Sequence, residues 1–189
     1  MTQLDWYFDF ISPFVYLQFT QLHRIPDNIN INYKPVLFAG LLKHHEHKGP
    51  AEIPAKRKLT YRHIVWLARK NNIPFKMPPA HPFNPLKALR LSIALDNNID
   101  AITKIFNYIW VNGQSLEDEE AWDKLAKELG VENPEDMIKQ PQVKEQLRTN
   151  TEQAVNLGIF GVPTTIINGQ LFWGFDTTDM LLEYIKELA

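Results

Sequence analysis

The stretch Asp9-Phe10-Ile11-Ser12-Pro13-Phe14-Val15-Tyr16-Leu17 joins two kinds of order. Before it, Gln3 to Asp9 is short and rich in aromatics, the composition of a buried strand. After it, Pro13 brings a fixed φ and no amide hydrogen, which suits the first position of a helix, and Ser12 is the residue type that caps such a start. The helix is expected from Pro13 to about Ile25, with Val15, Leu17, Phe19 and Leu22 on its apolar surface. Pro26-Asp27-Asn28 reads as a turn, and Ile29 to Val36 alternates as a second strand with Ile29, Ile31 and Tyr33 on one face. A strand, a helix and a strand in such close succession imply a right-handed parallel unit.

The far end of the chain returns to strands. Thr164 to Asn168 and Gln170 to Trp173 flank Asn168-Gly169, a strong two-residue hairpin signal. A final amphipathic helix, Thr177 to Leu188, carries Met180, Leu181, Tyr184, Ile185 and Leu188 at helical spacing. The middle is helical. Phe38 to Lys48 reads as a loop or short helical stretch, and Pro54 opens a helix through Tyr61, Ile64, Val65, Leu67 and Ala68. Asn72 to Pro85 holds Pro74, Pro78, Pro79, Pro82 and Pro85 and is expected to be extended or turning. Helices are expected over Leu86–Asp96, Asp100–Val111, Asp118–Leu129 (after a Ser115-x-x-Asp118 capping pattern) and Pro141–Leu157. The outline is β-α-β, a helical insertion, then β-β-α.

Composition narrows the chemistry. The 189 residues suit one sizeable domain, or a domain with a large insertion. Apolar residues at 44% and charged residues at 22% specify a packed core rather than a disordered chain. Lys and Arg number 20 against 22 Asp and Glu, a net charge of −2, so binding of nucleic acid by broad phosphate attraction is not expected. The chain has no cysteine, which excludes disulfides, thiolate metal sites, a cysteine nucleophile and dithiol redox chemistry. No signal peptide is read at Met1-Thr2-Gln3-Leu4-Asp5 and no run approaches the ~20 apolar residues that span a bilayer, so a cytoplasmic protein without membrane contact is expected.

The outline, an α/β fold of thioredoxin-like plan, is sharpened by local motifs. Asp9 to Leu17 sits where such proteins keep their active-site turn, Gly161-Val162-Pro163-Thr164-Thr165 where they keep a cis-proline loop, and Phe172-Trp173-Gly174-Phe175-Asp176 precedes the last helix. Together with Pro35-Val36-Leu37-Phe38, Ile53-Pro54-Ala55-Lys56 and His81-Pro82-Phe83-Asn84-Pro85-Leu86-x-Ala88-Leu89-Arg90, they resemble the DsbA-like branch. Specifically, they resemble 2-hydroxychromene-2-carboxylate isomerases and the related kappa-class glutathione transferases. The resemblance implies a thioredoxin-like domain from 1–37 and 158–189 with an inserted helical domain over 38–157, and glutathione as cofactor.

Ser12 is the candidate catalytic residue. A serine at a helix start offers a hydroxyl beside unpaired amides at the positive end of the helix dipole, a place that favours anions. A glutathione sulfur held there would have its thiol pKa lowered, and serine stabilises that thiolate without forming a disulfide with it. The plain reading of Ser12 is a helix cap. By resemblance, Pro13, Phe14, His47, Lys56, Val162, Pro163, Phe175 and Asp176 would hold glutathione, Asp176 pairing with its ammonium. Only about 5–6% of X–Pro bonds are cis, so sequence alone predicts a trans Pro163, and the resemblance reverses that to cis. The family usually has arginine where this chain has Thr177, and an asparagine where it has His47.

Lys43 to His63 holds a local excess of Lys, Arg and His, suited to a carboxylate-bearing ligand, though a solvated helix face explains most of it. Tyr16, Lys43 and Asn84 are the candidate substrate contacts, with Asn84 alternatively a turn residue before Pro85. His44-His45-x-His47 lacks the spacing of a helical zinc pair, so no metal is expected. Trp6, Phe14, Tyr16, Phe38 and Trp66 are expected mostly in the core.

The function this implies is a glutathione-dependent isomerase acting on a small aromatic carboxylate, in aromatic hydrocarbon degradation, and by resemblance a homodimer. Two rivals stand beside it: a glutathione transferase or peroxidase using the same thiolate, and a non-catalytic thioredoxin-like module that holds a peptide along the Val162 edge.

Overall fold

The computed structural model describes residues 2–188; Met1 and Ala189, the outer limits of the two expected thioredoxin-like segments, lie outside the described residues. Strand β1 (Thr2–Phe8) carries the aromatic run, and α1 (Pro13–Phe19) follows the Ser12-Pro13 turn. Next come β2 (Ile29–Pro35), α2 (Phe38–His44) and the long α3 (Pro54–Lys70). Then follow α4 (Leu86–Ala94), α5 (Ile99–Phe106), α6 (Glu119–Glu128), α7 (Pro134–Lys139) and α8 (Pro141–Asn156). The chain closes with β3 (Thr164–Ile167), β4 (Gln170–Trp173) and α9 (Thr178–Glu187).

The strands form one mixed sheet in the order β2-β1-β3-β4. β1 and β2 run parallel, from Thr2 opposite Ile29 to Phe8 opposite Pro35, as the strand–helix–strand rule requires. β3 runs antiparallel to both β1 and β4, with Thr164 opposite both Tyr7 and Trp173. This register puts the last residues of β1 and β2, the start of β3 and the end of β4 at one end of the sheet. The hairpin between β3 and β4 turns on Asn168 and Gly169 with φ of 48° and 74°, the left-handed pair that a type I′ turn demands.

The core is aromatic and shared between the sheet and the helices inserted after β2. Trp6 stacks on Phe8 at 4.8 Å, and Phe106 of α5 packs against Phe10 at 4.7 Å and Phe19 at 4.8 Å. Such ring pairs add about 0.5–1.5 kcal/mol each beyond the area they bury. Trp6 and Tyr16 are core residues as their type suggests, and Phe14 and Phe38 are half-buried. Trp66 is not in the core: it stands 53% exposed on the outer face of α3.

Element ends differ from the periodicity. α1 stops at Phe19, six residues short, because Thr20 turns its hydroxyl back onto the Leu17 carbonyl (2.7 Å) and the chain continues as a 3-10 turn over Leu22–Arg24. α4 ends at Ala94, since Asp96 and Asn97 take positive φ. α5 ends at Phe106 and passes into a π-turn over Asn107–Val111. α6 is capped by Asp118, whose carboxylate accepts from the Glu120 amide, rather than by Ser115. α7 escapes the period rules because it is only six residues long, and α9 starts one residue late, behind a 3-10 turn over Phe175–Thr177.

Candidate functional site

The turn from Asp9 to Ser12 leaves the end of β1 and is fastened at every residue. The Asp9 carboxylate is fully buried and accepts the amides of Ile11 (3.1 Å) and Phe38 (2.8 Å), tying the turn to the start of α2. Burial pushes the Asp9 carboxyl up to about 7, against the two amide bonds that pull it down. The Trp110 indole donates to the Phe10 carbonyl at 3.0 Å, and His81 Nε2 lies 2.8 Å from the Ile11 carbonyl. The Ser12 amide returns to the Asp9 carbonyl at 3.2 Å.

Ser12 itself has extended backbone (φ −92°, ψ 118°) and precedes Pro13 at the first position of α1. Its carbonyl accepts from Val15 and Tyr16, but its side chain makes no cap hydrogen bond. The hydroxyl is therefore uncommitted at the positive end of the helix.

Val162–Pro163 is cis and leads directly into β3. The register of the sheet brings this loop, the Ser12 turn and the Gly174–Asp176 turn to the same sheet end. The last of these is held from beneath by Gln18 of α1. Its amide nitrogen donates to the Gly174 carbonyl (3.0 Å) and the Thr178 hydroxyl (3.3 Å), while its oxygen accepts from the Trp6 indole (2.8 Å). A cleft of about 460 Å³ opens here between α3 and these loops, lined by Phe14, His63, Lys70, Val162, Trp173 and Asp176 among others. It pairs aromatic and apolar walls with charges of both signs, the surface that a zwitterionic ligand with an apolar partner would need. A shallower depression of about 510 Å³ around Leu59 and Trp66 is lined by α3 alone and includes nothing from the Ser12 turn or the proline loop.

Residues 3–186 match the DSBA-like thioredoxin domain. The chain belongs to this family. The 2-hydroxychromene-2-carboxylate isomerase of Sphingobium xenophagum is 26% identical, the alignment covering 97% of this chain and 98% of that one. Glutathione S-transferase kappa 2 of Caenorhabditis elegans is also 26% identical, over 97% of this chain and 92% of its own. A solved structure of 2-hydroxychromene-2-carboxylate isomerase superposes with a TM-score of 0.85 over 98% of this chain and 95% of that one, at 22% identity, and so shares the fold.

Within this DsbA-like chain, Phe14, Val162, Phe175 and Asp176 line the cleft as a group. Ser12, Pro13 and Pro163 are buried and do not themselves line the cleft; their chain neighbours Phe14 and Val162 do. Among the described residues Asp176 makes no ion pair, so its carboxylate is open to a ligand cation. Lys43, His47 and Lys56 are exposed and none of them lines the cleft. Tyr16 is a core residue rather than a substrate contact: it is 2% exposed and its hydroxyl donates to the Pro74 carbonyl at 2.6 Å. Asn84 is the turn residue of its plainer reading, its side chain accepting from the Leu86 amide at 3.0 Å. Among the described residues no group of three or more His, Cys, Asp or Glu is arranged to hold a metal. Among the described residues no helix is long and apolar enough to cross a membrane.

Three residues of the cleft wall carry no site role in the sequence motifs: Lys70, Trp173, which stands there only as a strand end within a motif, and His63, which belongs there only to the general basic segment. His63, Leu67 and Lys70 stand at i, i+4 and i+7 on α3, one helical face, and all three line the cleft. The spacing was visible in the sequence. Which partner that face meets was not.

Proposed function

We propose that the chain is a glutathione-dependent isomerase that interconverts 2-hydroxychromene-2-carboxylate and trans-o-hydroxybenzylidenepyruvate. One arrangement carries the reading: a serine hydroxyl that caps nothing at the start of α1, at the sheet end shared by a cis-proline loop and an unpaired Asp176. Glutathione would lie extended along Val162, outside the ladder that begins at Thr164, with its ammonium at Asp176 and its sulfur at Ser12. The Ser12 hydroxyl donates to the thiolate and, with the helix dipole, raises the share of nucleophile at neutral pH.

The thiolate adds to the conjugated ring of the chromene, forming a C–S bond. The ring C–O bond opens, the former double bond rotates, and elimination of the thiolate restores unsaturation in the trans product. Sulfur arrives and leaves as thiolate, so glutathione is regenerated. The flat substrate would rest against Phe14 and Trp173, the aromatic members of the cleft wall. The 26% identity shared with the kappa transferase supports a second reading, in which the same thiolate stays attached to an electrophile.

Calorimetric titration with reduced glutathione and with S-methylglutathione, on the natural chain and on Ser12→Ala, tests the proposal. Saturable binding that weakens when the sulfur is methylated or the hydroxyl removed is expected, followed by isomerisation of the chromene carboxylate without net loss of thiol. No binding and no thermal stabilisation at saturating glutathione sinks the reading. Loss of free thiol with a stable adduct favours the transferase.

A further inference from the structure

His81 lies 69 positions from Ser12 in the chain, yet it touches the peptide that leads into that residue. Its Nε2 is 2.8 Å from the Ile11 carbonyl, and its Nδ1 is 2.7 Å from the Tyr61 hydroxyl. A carbonyl only accepts, so Nε2 carries the hydrogen. In the neutral ring Nδ1 is then an acceptor, and the Tyr61 hydroxyl donates to it. Tyr61 Oη also lies 2.9 Å from the His81 carbonyl, so its single hydrogen is shared between Nδ1, the nearer acceptor, and that carbonyl. Burial keeps the His81 pKa below its ordinary value, consistent with the neutral ring.

The peptide between Ile11 and Ser12 is thereby gripped at both ends: its oxygen by His81, its N–H by the Asp9 carbonyl at 3.2 Å. With that plane fixed, the path of the chain into Ser12 is fixed too. The ring is wedged against Trp110 (5.6 Å) and Phe83 (6.0 Å), so the donor itself has little freedom.

We propose that His81 is a positioning residue for the thiol site: its Nε2–H, held in that tautomer by Tyr61, sets the Ile11–Ser12 peptide and so aims the Ser12 hydroxyl at the sulfur. The sulfur as the target rests on the glutathione reading above; the grip on the peptide does not. Placement errors of about 1 Å at a reacting group cost on the order of a hundredfold, so a hydrogen bond one residue away from the hydroxyl has leverage.

Two variants separate positioning from mere support. His81→Phe keeps a planar ring without the donor; His81→Gln places an N–H where Nε2 stood. In His81→Phe the Ser12 amide should exchange with solvent about tenfold faster or more, and His81→Gln should restore the protection. Nitrogen NMR of the natural chain should show His81 protonated at Nε2 only. In calorimetry, His81→Phe should lose at least about fivefold of the preference for reduced glutathione over S-methylglutathione, with binding of the methylated ligand little changed. Unchanged Ser12 exchange, or equal weakening of both ligands, overturns the proposal. If the natural chain binds neither ligand, the glutathione reading fails, and the exchange arm alone decides whether His81 sets the peptide.

Discussion

Gln18 Nε2 donates to the Gly174 carbonyl across 3.0 Å, joining the first helix to the turn that presents Asp176. The side chain is fully buried and every polar atom is used, since its oxygen serves the equally buried Trp6 indole. Gln18→Leu keeps the size and removes all three bonds. The buried Trp6 N–H is then left unpaired, while the Gly174 carbonyl keeps the Thr177 hydroxyl at 3.1 Å, and the expected cost is on the order of 1–3 kcal/mol of stability. The turn at Asp176 also loses its support, so glutathione affinity should fall with it. Denaturant unfolding and calorimetry of the variant check both, and full retention of affinity would mean that Asp176 is held by other contacts.

Asp9 makes the stability of this fold pH-dependent with an unusual sign. Its folded carboxyl is pushed up to about 7 by burial, whereas an unfolded aspartate titrates near its ordinary value of about 3.9. Between those values the folded chain holds a proton that the unfolded chain has released. The contribution is therefore fully present below about pH 4 and is lost as pH rises through about 7, at up to about 1.4 kcal/mol per pH unit. Asp9→Asn removes the titration while His81 remains in both proteins. The stability difference, natural chain minus variant, should fall by up to about 4 kcal/mol between pH 4 and 7. A flat difference would mean that Asp9 is ionised throughout.

Gly161 is small because Trp173 lies over it. A Cβ built at Gly161 would sit 2.5 Å from the indole Nε1, closer than atoms tolerate. Trp173 is 48% exposed and rests on Phe160 at 4.9 Å, so the ring has room to swing outward. Gly161→Ala should cost about 1–3 kcal/mol in the natural background and less than half of that in Trp173→Ala. Urea midpoints of the four proteins give the coupling. Additive effects would place the clash elsewhere.

The parts of this molecule that sequence made legible are those set by neighbours in the chain. Ser12-Pro13 announces a helix start and Asn168-Gly169 a hairpin because the backbone angles they favour are the ones used. The motifs also brought Phe14, Val162, Phe175 and Asp176 forward together, and the sheet register unites them. What stayed hidden depends on partners far along the chain. Tyr16 beside the turn looks like a ligand contact until its hydroxyl is found on Pro74, and Asn84 until its amide is found capping Leu86. His81 was quoted within a motif, but only its meeting with Ile11, and the cis bond that follows it to Pro82, emerge from the fold. The basic segment from Lys43 is mostly the solvated face its plainer reading gives, with only His63 of it lining the cleft beside Arg24 and Lys70 from outside it.

Replacing Ser12 by cysteine turns the absence of any other cysteine into a direct probe of where a glutathione sulfur sits. In Ser12→Cys the new thiol stands at the start of α1, where the helix dipole lowers its pKa and favours the reactive thiolate. Offered oxidised glutathione, it attacks one sulfur of the disulfide, forms a mixed disulfide, and releases one molecule of glutathione thiolate. If glutathione binds as proposed, its peptide part occupies the cleft before the exchange, and the reaction should run at least about tenfold faster than with an uncharged small disulfide of similar reactivity. Asp176→Asn, which removes the carboxylate expected to hold the ammonium, should erase most of that advantage without slowing the small disulfide. Intact mass spectrometry reads a single adduct, reversed by reductant. Equal rates with the two disulfides would mean that the cleft does not recognise glutathione and that no glutathione sulfur is held at Ser12.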